Sequence, residues 1–346
     1  MNEPAISVVV TAHTNKDFLL DAVNSALNQT LPKEEYEVIV VKNFRDEFVD
    51  AKLDALGVTN VYSKEQGIGA KMCEALDFIR AKVVTFLDYD DEYCERRLEK
   101  VKAWMLDQNT GYYHNSYVYI DERGAELSRA SIKKRAKRVE DFQKRSLFKE
   151  LLKEGAYANA SSIAVSRKLL EDSKELLKRI TAVPDLFLFF FALTSKLALV
   201  VDYDTLTKYR LHLQNSFSFT SLQPFEQQLN RLRARCNGVI NDLLTIFEFV
   251  KRTPYEHELT KRLIYWRLKA KIFSGHGKLG TGELFRYVFS EMDSNLPRRA
   301  KDCALCFLPS PLRMAYLKFS FNRKKGVAFQ AAPRGLYSLD STDEAL

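Results

Sequence analysis

Lys82-Val-Val-Thr-Phe-Leu-Asp-Tyr-Asp-Asp91 is the stretch whose reading decides the fold. Val83 to Leu87 has the length and β-branched content of a buried strand. It ends in three carboxylates within four positions, Asp88, Asp90 and Asp91. Core packing gives no reason for them, because like charges repel and burying them unpaired is costly. At the C-terminal edge of an open α/β sheet, where ligands bind, the same cluster suits a divalent cation. Asp88 and Asp90 project from one side of the strand end, since alternate residues share a face. A solvated acidic turn is the competing reading, and the flanking sequence has to choose.

Upstream, Ile6 to Val10 is a continuous apolar run, the pattern of a strand buried on both faces. The polar loop Thr11-Ala12-His13-Thr14-Asn15 follows, then a helical stripe between Asp17 and Gln29, with Asn15 or Asp17 as its cap. Tyr36 to Val41 reads as a second strand, Asp50 to Leu56 as a helix and Val58 to Tyr62 as a strand. Gly69 to Ile79 reads as a helix before the strand at Val83. Strand–helix alternation predicts an α/β fold with a mostly parallel, doubly wound sheet. From Glu92 the chain reads as helical, and Gly111 to Ile120 as an aromatic-rich strand.

A chain of 346 residues has room for one large domain and a smaller one. The formal net charge of +8 points to anionic partners: nucleotide phosphates, an acidic membrane surface or nucleic acid. The basic run from Ser128 to Arg145 lacks interleaved aromatic residues, which argues against a single-strand nucleic-acid platform. It reads either as a loop facing phosphate or anionic lipid, or as a solvated face. Cys303 and Cys306 form a C-x-x-C with no second pair and read as two packed thiols; the five cysteines lack disulfide-framework spacing, which reads as a reducing, cytosolic environment. Met1-Asn2-Glu3-Pro4 lacks the basic and apolar regions of a signal peptide. No uninterrupted apolar run is long enough to span a bilayer.

Ile6-Ser-Val-Val-Val-Thr-Ala-His13, then Ser25-Ala-Leu-Asn-Gln-Thr30, Tyr36-Glu-Val-Ile-Val-Val41 and Phe86-Leu-Asp-Tyr-Asp-Asp91 resemble the opening of family 2 glycosyltransferases. The resemblance runs from Ile6 to about Ser218. It implies a GT-A fold, a nucleotide-sugar donor, and Mn²⁺ or Mg²⁺ held against the donor diphosphate. By the same resemblance the metal-side residues are Asp88, Asp90 and His212, the last in Tyr209-Arg-Leu-His-Leu-Gln-Asn-Ser216. Donor-side positions are Thr11, His13, Asn43, Gly67, Lys71, Asp91 and Arg210, with Arg210 either meeting phosphate or bracing the acidic turn. Asp185, opening the apolar segment after Pro184, falls on the family's catalytic base. A dipole-complementing carboxylate in a first helical turn is its structural alternative. The resemblance also implies inversion at the anomeric centre.

Two departures stand out. His13 replaces a usual Tyr, and Lys42-Asn43 replaces the paired aspartates that read the base. Lys42 reverses the local charge, so the nucleotide is left open. The competing classes are a nucleotidyltransferase on a similar sheet and a non-catalytic basic protein that binds membrane or nucleic acid.

After Pro224 the chain changes to helical spacing rich in Lys and Arg. Boundaries are placed at 1–220 for the catalytic domain and 221–329 for a helical basic extension, with 330–346 a disordered tail. Between Arg298 and Lys325 the sequence is basic and aromatic, interrupted by Pro309 and Pro311. Such a stretch suits an anionic membrane interface, or packing on the catalytic domain or a second subunit. The expected acceptor is a glycan or a lipid-linked saccharide. The expected location is cytoplasmic, peripheral on the inner face of the cell membrane.

Overall fold

The computed structural model describes residues 3–14, 16–106, 109–127, 134–212, 224–275, 279–289 and 296–324. The chain divides into two compact units, Met1–Leu211 and His212–Leu346. The tail at 330–346 lies outside the described residues.

In the first unit the elements run β1 (Ile6–Ala12), α1 (Leu19–Leu27), β2 (Tyr36–Lys42), α2 (Glu47–Ala55), β3 (Thr59–Tyr62), α3 (Ile68–Ala75) and β4 (Val83–Asp88). They continue with β5 (Glu92–Tyr93), α4 (Arg97–Met105), β6 (Thr110–Ile120), β7 (Lys137–Val139), α5 (Lys144–Lys153) and β8 (Ile163–Ser166). The unit closes with α6 (Arg167–Leu177), α7 (Pro184–Thr194) and β9 (Ala198–Arg210). One sheet carries these strands in the order β3-β2-β1-β4-β8-β6-β9-β5, with β7 paired to β9. The first four strands are parallel, with β1 between β2 and β4. β8 then runs antiparallel to both β4 and β6, and β6 is parallel to β9. The expected α/β sheet is therefore present, parallel in its first half and mixed in its second.

Every residue of β1 is buried, as an apolar run covered on both faces requires. In α1 the buried side chains are Leu19, Ala22, Val23 and Ala26, one stripe at helical spacing. That helix begins later than the sequence suggests: its cap is Phe18, with no side-chain cap bond. The helix expected from Glu92 is also displaced. Glu92 and Tyr93 pair with Lys208 and Thr207 of β9 first, and this tethers the chain leaving the acidic turn. α3 lies against the end of α6 so closely that a Cβ on Gly69 would fall 1.9 Å from the Leu177 carbonyl oxygen.

The second unit contains α8 (Phe225–Val250), α9 (Glu256–Ser274), α10 (Thr281–Val288), α11 (Leu296–Phe307) and α12 (Ser310–Lys324). Leu229, Cys236, Leu268, Tyr287, Leu305, Cys306 and Leu317 meet in its core. Cys303 and Cys306 are packed thiols, and burial pushes Cys306 up to about 11. Pro309 sits in the two-residue break between α11 and α12, where its missing N–H costs no helical bond. No helix of the described residues is long and apolar enough to cross a membrane.

Candidate active site

Strand order places the site. The chain runs from β1 outward through β2 to β3, then returns to β4 on the other side of β1. The crevice at the C-terminal ends of β1 and β4 is thus a topological switch point, where open α/β sheets bind ligands. Thr11 and Asp88 are register partners there, and the Thr11 hydroxyl donates to Asp88 Oδ1 at 3.2 Å.

The acidic turn is packed from behind. Asp91 is buried, and its Oδ1 accepts from the Arg210 backbone N–H at 3.1 Å. Arg210, also buried, donates from Nε to the Asp90 carbonyl at 2.9 Å and from Nη1 to the Glu122 carbonyl at 3.0 Å. It also pairs with Glu92 and lies over the Phe18 ring. Of the two roles expected for Arg210, bracing the turn is the one its contacts describe. Below, the wholly buried Arg97 donates to Thr85 at 2.5 Å and to Asn115 at 3.1 Å, stacked over Tyr93.

Burial and the neighbouring Asp90 charge push the Asp88 carboxyl up to about 7. Asp91 is raised well above the usual carboxylate range by burial, with Asp90 and Asp88 adding repulsion. Asp91 Oδ2 is buried with no hydrogen-bond partner. Crowded carboxylates of this kind suit a bound cation. Among the described residues no three His, Cys, Asp or Glu side chains gather as a metal cluster. His212 is buried directly after β9, as the first residue of the second unit. Two carboxylates on one turn suit a divalent cation.

On the other side of Thr11 lies a polar cluster. Asn43 Nδ2 and Lys71 Nζ approach His13 Nδ1 at 2.9 and 3.2 Å. Two donors on one nitrogen make it the acceptor, so His13 is neutral with its proton on Nε2. Burial and Lys71 both lower the His13 pKa, in agreement. Asn43 also accepts from the Thr14 N–H and reaches Gln66 at 3.3 Å. Lys71 is buried rather than a surface lysine; it donates to the Ala12 carbonyl at 3.0 Å, and burial lowers its pKa to about 8. Lys42 does not reverse the charge of this cluster. Its ammonium is buried against Asp50 at 2.6 Å and the Phe44 carbonyl at 2.8 Å. Gly67 precedes α3, where an added Cβ would lie 3.3 Å from the Ile180 carbonyl, so close packing already explains it.

Asp185 is buried in the first turn of α7. Its Oδ1 accepts from the Leu186 N–H at 2.8 Å and its Oδ2 from the Asn159 N–H at 3.2 Å. Its charge is felt at Asp88, where it adds to the upward shift. The link between the two carboxylates is the turn Asn159-Ala-Ser-Ser162. Asn159 has φ of +68°, a left-handed conformation that Asn tolerates better than most residues. That conformation aims its N–H at Asp185 while its side chain caps the Ser161 N–H at 3.0 Å. Ser161 Oγ in turn accepts from the Asp88 N–H at 3.0 Å. Tyr112 and His114 of β6 bond to the Ala156 and Ala158 carbonyls and hold the approach to this turn. By resemblance to family 2 glycosyltransferases, Asn159 to Arg167 reads as the strand before the helix of Asp185, whereas the structure makes Asn159 to Ser162 a turn and begins the strand at Ile163. An Asn before a tight Ser-Ser pair was the available signal.

Of the basic run at Ser128 to Arg145, residues 128–133 lie outside the described residues. In the remainder, Lys134 pairs with Glu154, Lys137 with Glu150 and Arg138 with Glu140. Three of the basic side chains of the described part are thus paired with carboxylates.

The fold is an α/β domain of the GT-A type. Residues 7–173 match the family described as Glycosyl transferase family 2. A poly(ribitol-phosphate) beta-glucosyltransferase of Bacillus spizizenii is 31% identical over 99 residues, covering 25% of this chain and 15% of the relative. An uncharacterized glycosyltransferase of Haemophilus influenzae is 25% identical over 146 residues, covering 39% of this chain and 56% of the relative. The matches thus span well under two thirds of these relatives. Among solved structures, S. aureus TarS 1-349 in complex with UDP aligns over 95% of this chain and 94% of its own, at TM-score 0.51 and 15% identity. Mannosyltransferase PcManGT from Pyrobaculum calidifontis, in complex with GDP-Man and Mn²⁺, aligns over 94% and 87%, at TM-score 0.53 and 14% identity. Both likenesses speak to the fold.

Proposed function

We propose that the first unit transfers a sugar from a nucleoside-diphosphate sugar to an acceptor hydroxyl or phosphate, with inversion at the anomeric carbon. The observation that carries this is the pairing of the Asp88-x-Asp90-Asp91 turn with Asp185 through Asn159 and Ser161. A diphosphate-side cation site and a buried, doubly hydrogen-bonded carboxylate are the two halves such a transfer needs.

Asp88 and Asp90 would hold Mn²⁺ or Mg²⁺, which when bound neutralises charge on the leaving diphosphate. Thr11 orients Asp88, and Arg210 keeps the turn in shape from behind. His13 and Asn43 offer polar edges to the nucleoside, and Lys71 lies within the same cluster on the phosphate side. The acceptor oxygen forms a bond to the anomeric carbon as the bond from that carbon to the diphosphate oxygen breaks. Asp185 takes the acceptor proton, and the nucleoside diphosphate leaves. The backbone N–H groups of Asn159 and Leu186 fix the orientation of that carboxylate. Solved relatives of this fold hold UDP in one case and GDP-Man in another, so the fold alone accommodates either base. The proposed acceptor is a glycan or lipid-linked saccharide.

The test is release of nucleoside diphosphate from a panel of nucleotide-sugars with Mn²⁺, comparing the wild type with Asp185→Asn. Turnover should fall by roughly 10²–10⁴-fold in the variant, with nucleotide affinity unchanged. Equal turnover in a folded Asp185→Asn protein would remove the base assignment.

A further inference from the structure

We propose that the outward face of α10, α11 and α12 is a docking surface for an anionic lipid bilayer. The inference rests on the second unit alone and does not depend on the transferase reading. Six large apolar side chains stay in solvent on these helices. Phe285 and Phe289 are each 65% exposed, Leu296 50%, Phe307 69%, Leu312 59% and Phe319 63%. They follow helical spacing. Phe285 and Phe289 are one turn apart, with ring centroids 4.5 Å from each other. Leu312 and Phe319 are two turns apart on α12, while Leu317 faces the core. α11 and α12 are joined by two residues, which brings Phe307 and Leu312 to the same helical corner. The packing needs of the unit are met by the other faces, so these residues are surplus to its core.

Charge selects the occupant. Among the described residues from 279 to 324 the acids are Glu283 and Asp302. Glu283 pairs with Arg267 at 3.0 Å and accepts from the Gly280 N–H at 2.9 Å. Asp302 is buried against Lys269 at 3.2 Å and the Tyr287 hydroxyl at 2.9 Å. Among the described residues of these helices the exposed charged side chains are Arg286, Lys301 and Lys318. Exposed aromatic rings on helices whose described exposed charges are cations match the interface of a negatively charged bilayer, where rings sit at the headgroup level and each basic side chain adds attraction. A protein partner of mixed charge would leave that one-signed rim unanswered.

The experiment is co-sedimentation of the full chain with vesicles of phosphatidylglycerol and, separately, of phosphatidylcholine. Binding to phosphatidylglycerol that weakens with salt is expected, with little binding to phosphatidylcholine. The double variants Phe285→Ser/Phe289→Ser and Lys301→Glu/Lys318→Glu should each lower partitioning by roughly tenfold or more. Phe307→Trp supplies a second readout: its fluorescence should be quenched by brominated phosphatidylglycerol vesicles. Absence of vesicle binding, or unchanged binding in both double variants, overturns the proposal. So does a wild-type dimer in solution that the phenylalanine variants dissociate, because the face would then belong to a second copy.

Discussion

Asp88→Asn should make this protein more stable while removing its proposed cation. The carboxyl rises from 3.8 to about 7 in the folded chain, through burial first and the Asp90 charge second. The folded state therefore holds a proton that the unfolded chain releases near pH 4, and stability falls as pH rises between those values. About three units at ~1.4 kcal/mol each give a cost of about 4 kcal/mol, fully present above pH 7. Asp88 is only half-buried at the strand end, and solvent screening leaves about 2 kcal/mol. Asparagine keeps the oxygen that accepts from Thr11 and carries no charge to repel Asp90. For a unit of this size the expected gain is roughly 4–8 °C in Tm at pH 8 with chelator present. The gain should shrink toward zero near pH 4. Differential scanning calorimetry across that range measures it. Adding Mn²⁺ should stabilise the wild type and leave the variant unmoved, since only a site that binds the ion gains from it. An Asp88→Asn protein no more stable than wild type at pH 8 would refute the claim that the turn stores repulsion for a cation.

Asn159→Gly and Asn159→Ala should separate conformation from capping. Alanine keeps a Cβ at φ of +68° but loses the side-chain oxygen that caps Ser161 and lets Asn tolerate that conformation, costing about 2 kcal/mol in urea melts, whereas glycine relieves the backbone term and costs less than half as much. Both retain the N–H that meets Asp185, so glycine should also keep most turnover; equal losses for the two would argue against backbone conformation as the reason for Asn. Lys71 is protonated below its pKa of about 8, so nucleotide affinity should weaken as pH rises through 8 and Lys71→Arg should flatten that profile. A profile that is the same in both proteins would take Lys71 out of the donor site.

Much of this architecture is written locally. β1, β2 and β4 are apolar runs bounded by polar turns, and the acidic end of β4 announces itself because three carboxylates have no packing reason to be there. Asp185 is legible only through its neighbours, since an early helical Asp has an ordinary structural explanation. Long-range partners were hidden. Nothing near Lys42 in sequence says that Asp50 will neutralise it, and nothing near Arg210 says that it will brace Asp90 from 120 residues away. Such pairings depend on which strands become neighbours. The tether of Glu92 and Tyr93 to β9 and the insertion of antiparallel β8 beside β4 are of the same kind. In the C-terminal helices the mixture of apolar and basic residues was visible, but which apolar residues face out required the packing: Leu305 and Leu317 go to the core, Phe307 and Phe319 do not.

The central claim is that the turn after β4 holds a diphosphate through a cation. Isothermal titration of UDP and GDP into the full chain, with Mn²⁺ and with chelator, tests it most directly when repeated on Asp90→Ala. Saturable binding of at least one nucleotide that requires Mn²⁺ and disappears in Asp90→Ala is the predicted result. Nucleotide binding of equal strength with chelator, or in a folded Asp90→Ala protein, would contradict it.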